Sequence, residues 1–211
     1  MNNGPFQSII TSADELTDRY GKPSQLVNNK VIHRLDEHCR DFIAKSPLLY
    51  IATSDQTGNC DVSPRGDHPG FVVVLDDRHL VIPERPGNRR FDSMQNILSN
   101  PKIGMIFVIP GLKETLRING SAVIMKDETI LDQLQVQGKK PWFGIGVKVE
   151  ECFIHCAKAF LRSRLWEPDS WPAPSKLPKV SKILADHASQ ENFSEEAVSQ
   201  ALKESYEKRL Y

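Results

Sequence analysis

The stretch Pro83-Glu84-Arg85-Pro86-Gly87-Asn88-Arg89-Arg90, followed by Phe91-Asp92-Ser93-Met94-Gln95-Asn96-Ile97-Leu98, is where the chain changes from strand to helix. A strand ends, a turn rich in Pro and Gly follows, and a helix over 91–99 begins with two arginines at its mouth. The first turn of a helix carries unpaired N–H groups and a partial positive charge. Asn88 is placed to cap it, and Arg89 and Arg90 add full charges beside the free donors. Such a mouth holds a phosphate without a glycine-rich nucleotide loop. The same residues also read as a solvated turn whose arginines pair with Asp92 or Glu84. By itself the stretch favours that plainer reading, because short basic turns are common.

Working outward, strands separated by tight turns surround this point. Leu48-Leu49-Tyr50-Ile51-Ala52-Thr53 reads as a buried strand, and Asp55-Gln56-Thr57-Gly58 as a hairpin turn into Cys60-Asp61-Val62-Ser63. Phe71-Val72-Val73-Val74-Leu75 returns through Asp76-Asp77 into His79-Leu80-Val81-Ile82. After Asn100-Pro101 stops the helix, 103–109 is apolar on both faces and therefore central, and 115–124 alternates, with Leu116 and Ile118 inward and Thr115, Arg117 and Asn119 outward. A short helix over 127–136, a strand over 143–155 and a helix over 157–165 follow. Upstream, Ser12-Ala13-Asp14-Glu15 has capping-box spacing, and Val31, Leu35, Cys39 and Phe42 share one face of a helix over 31–45. This is a mainly β chain with helices (α+β). Its antiparallel strands suit a small closed barrel, with no crossover helices for a parallel sheet. The organisation is a peripheral segment 1–30, a barrel domain 31–168, and a Pro-rich linker with C-terminal helices over 169–211.

Lys plus Arg equals Asp plus Glu, 27 each, which argues against a dedicated nucleic-acid binder but permits a local basic pocket. No apolar run reaches membrane-spanning length and no signal pattern opens the chain, so it reads as cytoplasmic. Cys152 and Cys156 flank His155. Zinc wants paired ligand clusters and no second cluster is present, so this segment reads as a buried strand and no metal is expected.

Taken in order, several short segments resemble the FMN-binding split-barrel proteins of the pyridoxamine 5'-phosphate oxidase-like superfamily. They are Asp61-Val62-Ser63-Pro64-Arg65-Gly66-Asp67, Arg85-Pro86-Gly87-Asn88-Arg89, Asp92-Ser93, Glu114-Thr115-Leu116-Arg117-Ile118-Asn119-Gly120 and His155-Cys156-Ala157-Lys158-Ala159, with Trp166 closing the set. The resemblance implies a six-stranded antiparallel split β-barrel, a homodimer, and FMN in the cleft between subunits. It places Arg89 and Arg90 on the FMN phosphate, with Asn88 and Ser93 beside them, and Ser63 and Arg65 on the strand lining the phosphate and ring edge. Glu114, Thr115 and Arg117 match a strand that reaches the flavin across the dimer. Lys158 either sits at the flavin's N1/O2 edge or is a solvated lysine. Trp166 either stacks at the cleft or packs the last helix onto the barrel, and packing is favoured.

The chain departs from the vitamin B6 oxidases at Arg162-Ser163-Arg164-Leu165-Trp166, which lacks the histidine of their Arg-x-His substrate grip. The expectation is therefore an FMN-dependent oxidoreductase that acts on another small substrate, or with NAD(P)H as a flavin reductase, and has little pyridoxamine phosphate turnover. The rival is a flavin or haem carrier, or a redox sensor, without turnover. No nucleophilic triad is legible, and no catalytic acid or base is assigned.

Overall fold

The structure, a computed structural model, describes residues 4–188 and 193–211. Residues 1–3 of the N-terminal segment and 189–192 of the C-terminal extension lie outside the described residues. The N-terminal helix α1 (Ala13–Tyr20) starts where Ser12 accepts from the Glu15 N–H, as the capping box predicts. A short α2 (Gln25–Asn29) follows. The helix expected over 31–45 begins later, as α3 (Glu37–Lys45). The Asp36 carboxylate caps it at the Cys39 N–H, 2.9 Å away, and Ile32 instead bridges to Cys152 in both directions.

The strands are β1 (Leu48–Ser54), β2 (Cys60–Gly66), β3 (Val73–Val74) and β4 (His79–Pro83). After α4 (Asp92–Ser99) come β5 (Lys102–Val108), β6 (Thr115–Met125), α5 (Glu128–Asp132), β7 (Gly144–His155) and α6 (Lys158–Ser163). β3 is shorter than expected because the Phe71 N–H is drawn into a turn onto the His68 carbonyl. Two 3-10 turns (Pro168–Ser170, Pro174–Lys176) occupy the Pro-rich linker, and α7 (Val180–Ala188) and α8 (Glu195–Lys208) pack on each other. No described helix is long and apolar enough to cross a membrane.

All strand pairs are antiparallel, in one sheet of order β2-β1-β5-β6-β7-β4-β3. The count is seven rather than six because two-residue β3 joins the edge, and the sheet is open: no ladder joins β2 to β3 or β4 among the described residues. β4 attaches to β7 and β3 to β4, neither to β2, so α4 must carry the chain from β4 across to β5. This split sets the mouth of α4 against β2.

The alternating residues of β1, β5, β6 and β7 fill the interior with Leu49, Ile51, Met105, Phe107, Leu116, Ile118, Ile145 and Val147, and α3 adds Phe42 and Ile43. Gly120 sits at the bulge between β6 and β7. A Cβ there would lie 2.2 Å from the Lys148 carbonyl oxygen, so only glycine allows the strands to close up. Thr115, expected on the outer face, is buried, and the outward polar face of β6 begins at Arg117.

Candidate functional site

The gap in the ladder is crossed by side chains. Arg65 of β2 pairs with Glu84 (Nη1 to Oε2, 2.5 Å), and Asp67, just past β2, pairs with Arg85 (Oδ2 to Nε, 2.7 Å). Acid and base are exchanged between the two partners, so the end of β2 and the end of β4 are held in one register. Burial pushes the Glu84 carboxyl up, and Arg65 beside it does not undo this. Burial would raise Asp67 as well. The His68 N–H, the Tyr211 phenol and Arg85 outweigh it and hold that carboxyl below its ordinary value.

Behind these pairs lies a cavity of about 1320 Å³. Its walls are residues 61–67, 83–89, 91–94 and 139–143, together with Phe71, Leu210 and Tyr211. The alternation of β2 turns Asp61, Ser63 and Arg65 to one side, where they are half-buried, while Val62 and Pro64 face out. Ser93, in the first turn of α4, is buried and donates to Asp61 Oδ2 at 2.6 Å. The cavity therefore gathers Ser63, Arg65, Asn88, Arg89 and Ser93.

The mouth of α4 differs from expectation. Phe91, not Asn88, is the N-cap residue, and no side chain caps the helix. The reason is local backbone: Arg89 (φ 60°) and Phe91 (φ 58°) both take the left-handed conformation, which turns Asn88 away. Its Oδ1 instead accepts from the Arg90 N–H at 3.0 Å. The first-turn donors stay open, and non-glycine strain of this kind gathers at ligand sites. The two arginines also part. Arg89 lines the cavity and has no hydrogen-bond or ion-pair partner among the described residues, whereas Arg90 lies outside the lining with its Nε on Asp92 at 2.8 Å. The plainer reading of the turn thus holds for Arg90. Arg65 has a free donor of its own: its Nε is buried without an acceptor. An unpaired arginine, an unsatisfied guanidinium nitrogen and an uncapped helix suit an anionic, phosphate-bearing ligand.

The remaining candidates lie elsewhere. Glu114, Thr115, Arg117, Lys158 and Trp166 are not part of this cavity's wall. Arg117 packs its guanidinium over Phe153, 5.6 Å from the ring centre. Trp166 donates to the Leu112 carbonyl (2.9 Å) and stacks on Phe160, which is the packing role. Lys158 is exposed. Cys152 is buried with its sulfur 3.8 Å from that of Cys39, while His155 and Cys156 are exposed. No cluster of three metal-binding side chains occurs among the described residues.

Sequence reasoning missed Asp61, Asp67 and Arg85 as partners, offered Glu84 to the arginines of the turn rather than to Arg65, and missed Trp142, Leu210 and Tyr211 as lining. The exchanged charges of Arg65-Gly66-Asp67 and Glu84-Arg85 were a usable signal. Leu210 and Tyr211 carried none, since their contacts are made only in space.

Among solved structures, HupZ from Group A Streptococcus is 23% identical, covering 56% of this chain and 92% of its own (TM-score 0.47). A Clostridium acetobutylicum protein related to general stress protein 26 is 15% identical over 56% of this chain and 85% of its own (TM-score 0.41). The haem storage protein HutZ of Vibrio cholerae is 18% identical over 57% of this chain and 94% of its own (TM-score 0.39). No curated protein matches. The sequence pattern of the pyridoxamine 5'-phosphate oxidase family matches residues 35–156, more than half of the chain, and with the split sheet above, the chain belongs to that family.

Proposed function

We propose that the chain binds FMN in the cavity at the split of the sheet and works as an FMN-dependent oxidoreductase, in the form of a homodimer. The observation that carries this reading is the meeting of Ser63 and Arg65 of β2 with the unpaired Arg89 at the uncapped mouth of α4. FMN would supply the redox chemistry there, and the protein the binding and orientation. Arg89 and the first-turn N–H groups of α4 hold the phosphate. Ser63 and Arg65 offer donors along the wall next to it. Phe71 and Phe91 give the same cavity apolar surface for a ring system.

The homodimer is supported by the outer face of the sheet. Tyr50, Val62 and Ile106 are 43%, 66% and 39% exposed, although they lie mid-strand. Register puts Tyr50 opposite Ile106, and Val62 opposite the neighbouring Ala52. A contiguous apolar sheet face suits a second copy of the chain. Glu114, Arg117 and Lys158 stand away from the cavity of their own chain, so any part they take in flavin binding falls to the second copy.

Absorption spectroscopy and sedimentation of the purified protein test this. Flavin bands, bleaching by NADH or NADPH with recovery in air, and a dimer that Ile106→Lys dissociates are the expected results. A Soret band without flavin bands overturns the cofactor. Flavin bands that no reductant bleaches leave a carrier, and a wild-type monomer with flavin bound removes the homodimer.

A further inference from the structure

Tyr211 does more than hold down the Asp67 carboxyl. Its phenol O–H donates to Asp67 Oδ1 at 2.8 Å. Its ring lies against the Arg85 guanidinium, 5.9 Å from centre to carbon. Its main-chain oxygen accepts from Lys139 Nζ at 2.8 Å. Three separate parts of the barrel are engaged: the end of β2, the end of β4 and the loop before β7. All three border the same cavity, and Leu210 and Tyr211 themselves form part of its wall. The receptor is a built one, because the Asp67 side chain is 1% exposed and already fixed by Arg85.

The segment that delivers Tyr211 is attached in a different way from the barrel elements. Neither α7 nor α8 has a buried residue, and the two lean on each other. A segment held by a few polar contacts, with no apolar face in the core, belongs to the low-stability end of a structure, from which lids are drawn. We propose that residues 210–211 are a latch on the cavity, fastened by Tyr211 to the Asp67–Arg85 pair, and that opening it controls the passage of flavin or substrate. This rests on the flavin reading for the identity of what passes, but not for the latch itself.

The test uses the full chain with Tyr211→Phe, which removes only the phenol bond, and Tyr211→Ala, which also removes the ring. FMN binding and release are followed by rapid mixing and flavin fluorescence. In Tyr211→Phe both rate constants should rise about ten- to a hundredfold, the scale of one hydrogen bond to a carboxylate. They should rise further in Tyr211→Ala, while Kd changes less than either rate. A second readout needs no flavin: trypsin should cut after Lys208 and Arg209 faster in both variants than in wild type. Rates within twofold of wild type, or faster release with unchanged binding, would mean a fixed wall and overturn the latch. If wild type binds no FMN, the flavin reading fails, and proteolysis alone decides: equal cutting in all three proteins overturns the latch, and faster cutting in the variants supports it.

Discussion

The two flanks of this barrel are joined by different forces. From β2 through β1, β5, β6 and β7 to β4, adjacent strands share a continuous ladder over an apolar interior. Between the end of β2 and the end of β4 the ladder is absent, and two ion pairs span the gap. A ladder satisfies every backbone group and leaves no room for a guest. An ion-paired seam leaves polar side chains half-buried around a space. At Glu84 burial outweighs what Arg65 returns and the carboxyl is raised, whereas at Asp67 the partners outweigh burial. Such an arrangement is poor as a device for stability and good as a place to hold a charged ligand.

The largest effect should come from breaking the ladder side. Phe107 of β5 is fully buried in the interior. Phe107→Ala should destabilise the fold by about 3–5 kcal/mol, read from urea unfolding, while the molecules still folded bind FMN as wild type does. Arg65→Met breaks the seam side, leaving the Glu84 carboxyl buried and unpaired. Its cost should be smaller than the full loss expected for a deeply buried pair, about 3–5 kcal/mol, because Glu84 can take up a proton instead. Unlike Phe107→Ala, it should also weaken FMN. If the two variants affect stability and FMN in the same proportion, the contrast between the flanks is wrong.

How much of this was legible follows the same division. The alternation of Leu116 and Ile118 and the apolar run 103–109 announced the interior, because burial of one face writes a period of two into the sequence. Ser63, Arg65 and Arg89 line one cavity, since local motifs on neighbouring elements survive folding intact. Asn88 failed as a cap because the left-handed backbone at Arg89 and Phe91 has no composition signature. The start of α3 was misjudged because the apolar stripe from Val31 continues smoothly into a bridge to Cys152, and only Asp36 marks the break. Tyr211 was invisible because its partner Asp67 lies 144 positions away, beyond any local rule.

Within the seam, Arg89 and Arg90 are a sharper comparison. Both are exposed and adjacent, yet only Arg89 lines the cavity without a partner. A charge-assisted contact to phosphate contributes about 1.5–3 kcal/mol, so Arg89→Ala should weaken FMN about ten- to a hundredfold. Riboflavin, which lacks the phosphate, should bind both proteins alike. Arg90→Ala, which removes only an exposed pair with Asp92, should change FMN binding less than threefold, since pairs of that kind contribute about 0–1 kcal/mol. Fluorescence titration with both ligands, at low and high salt, checks this; the Arg89 effect should shrink as salt rises. Equal losses from the two variants would return the phosphate to the pair rather than to one residue.

The smallest effect separates the two ion pairs of the seam from each other. The folded Glu84 carboxyl lies above its ordinary value and the folded Asp67 carboxyl below. A raised carboxyl is more readily protonated in the folded state than in the unfolded one. Its contribution therefore falls as pH rises from its ordinary value through the folded one. A depressed carboxyl behaves oppositely: its stabilisation is complete above the ordinary value and is lost as pH falls through the folded one. Stability should be measured against pH by urea unfolding for wild type, Glu84→Gln and Asp67→Asn. Relative to wild type, Glu84→Gln should gain as pH rises out of the acid range. Asp67→Asn should lose over a more acidic interval, as pH rises from the folded Asp67 value to the ordinary one, because only wild type then acquires the Asp67 charge that Arg85 and Tyr211 hold. Opposite slopes would show that one pair is strained for the ligand and the other holds the seam shut. Parallel slopes would mean that the seam responds to pH as one unit, and the division of labour between its two pairs would fall.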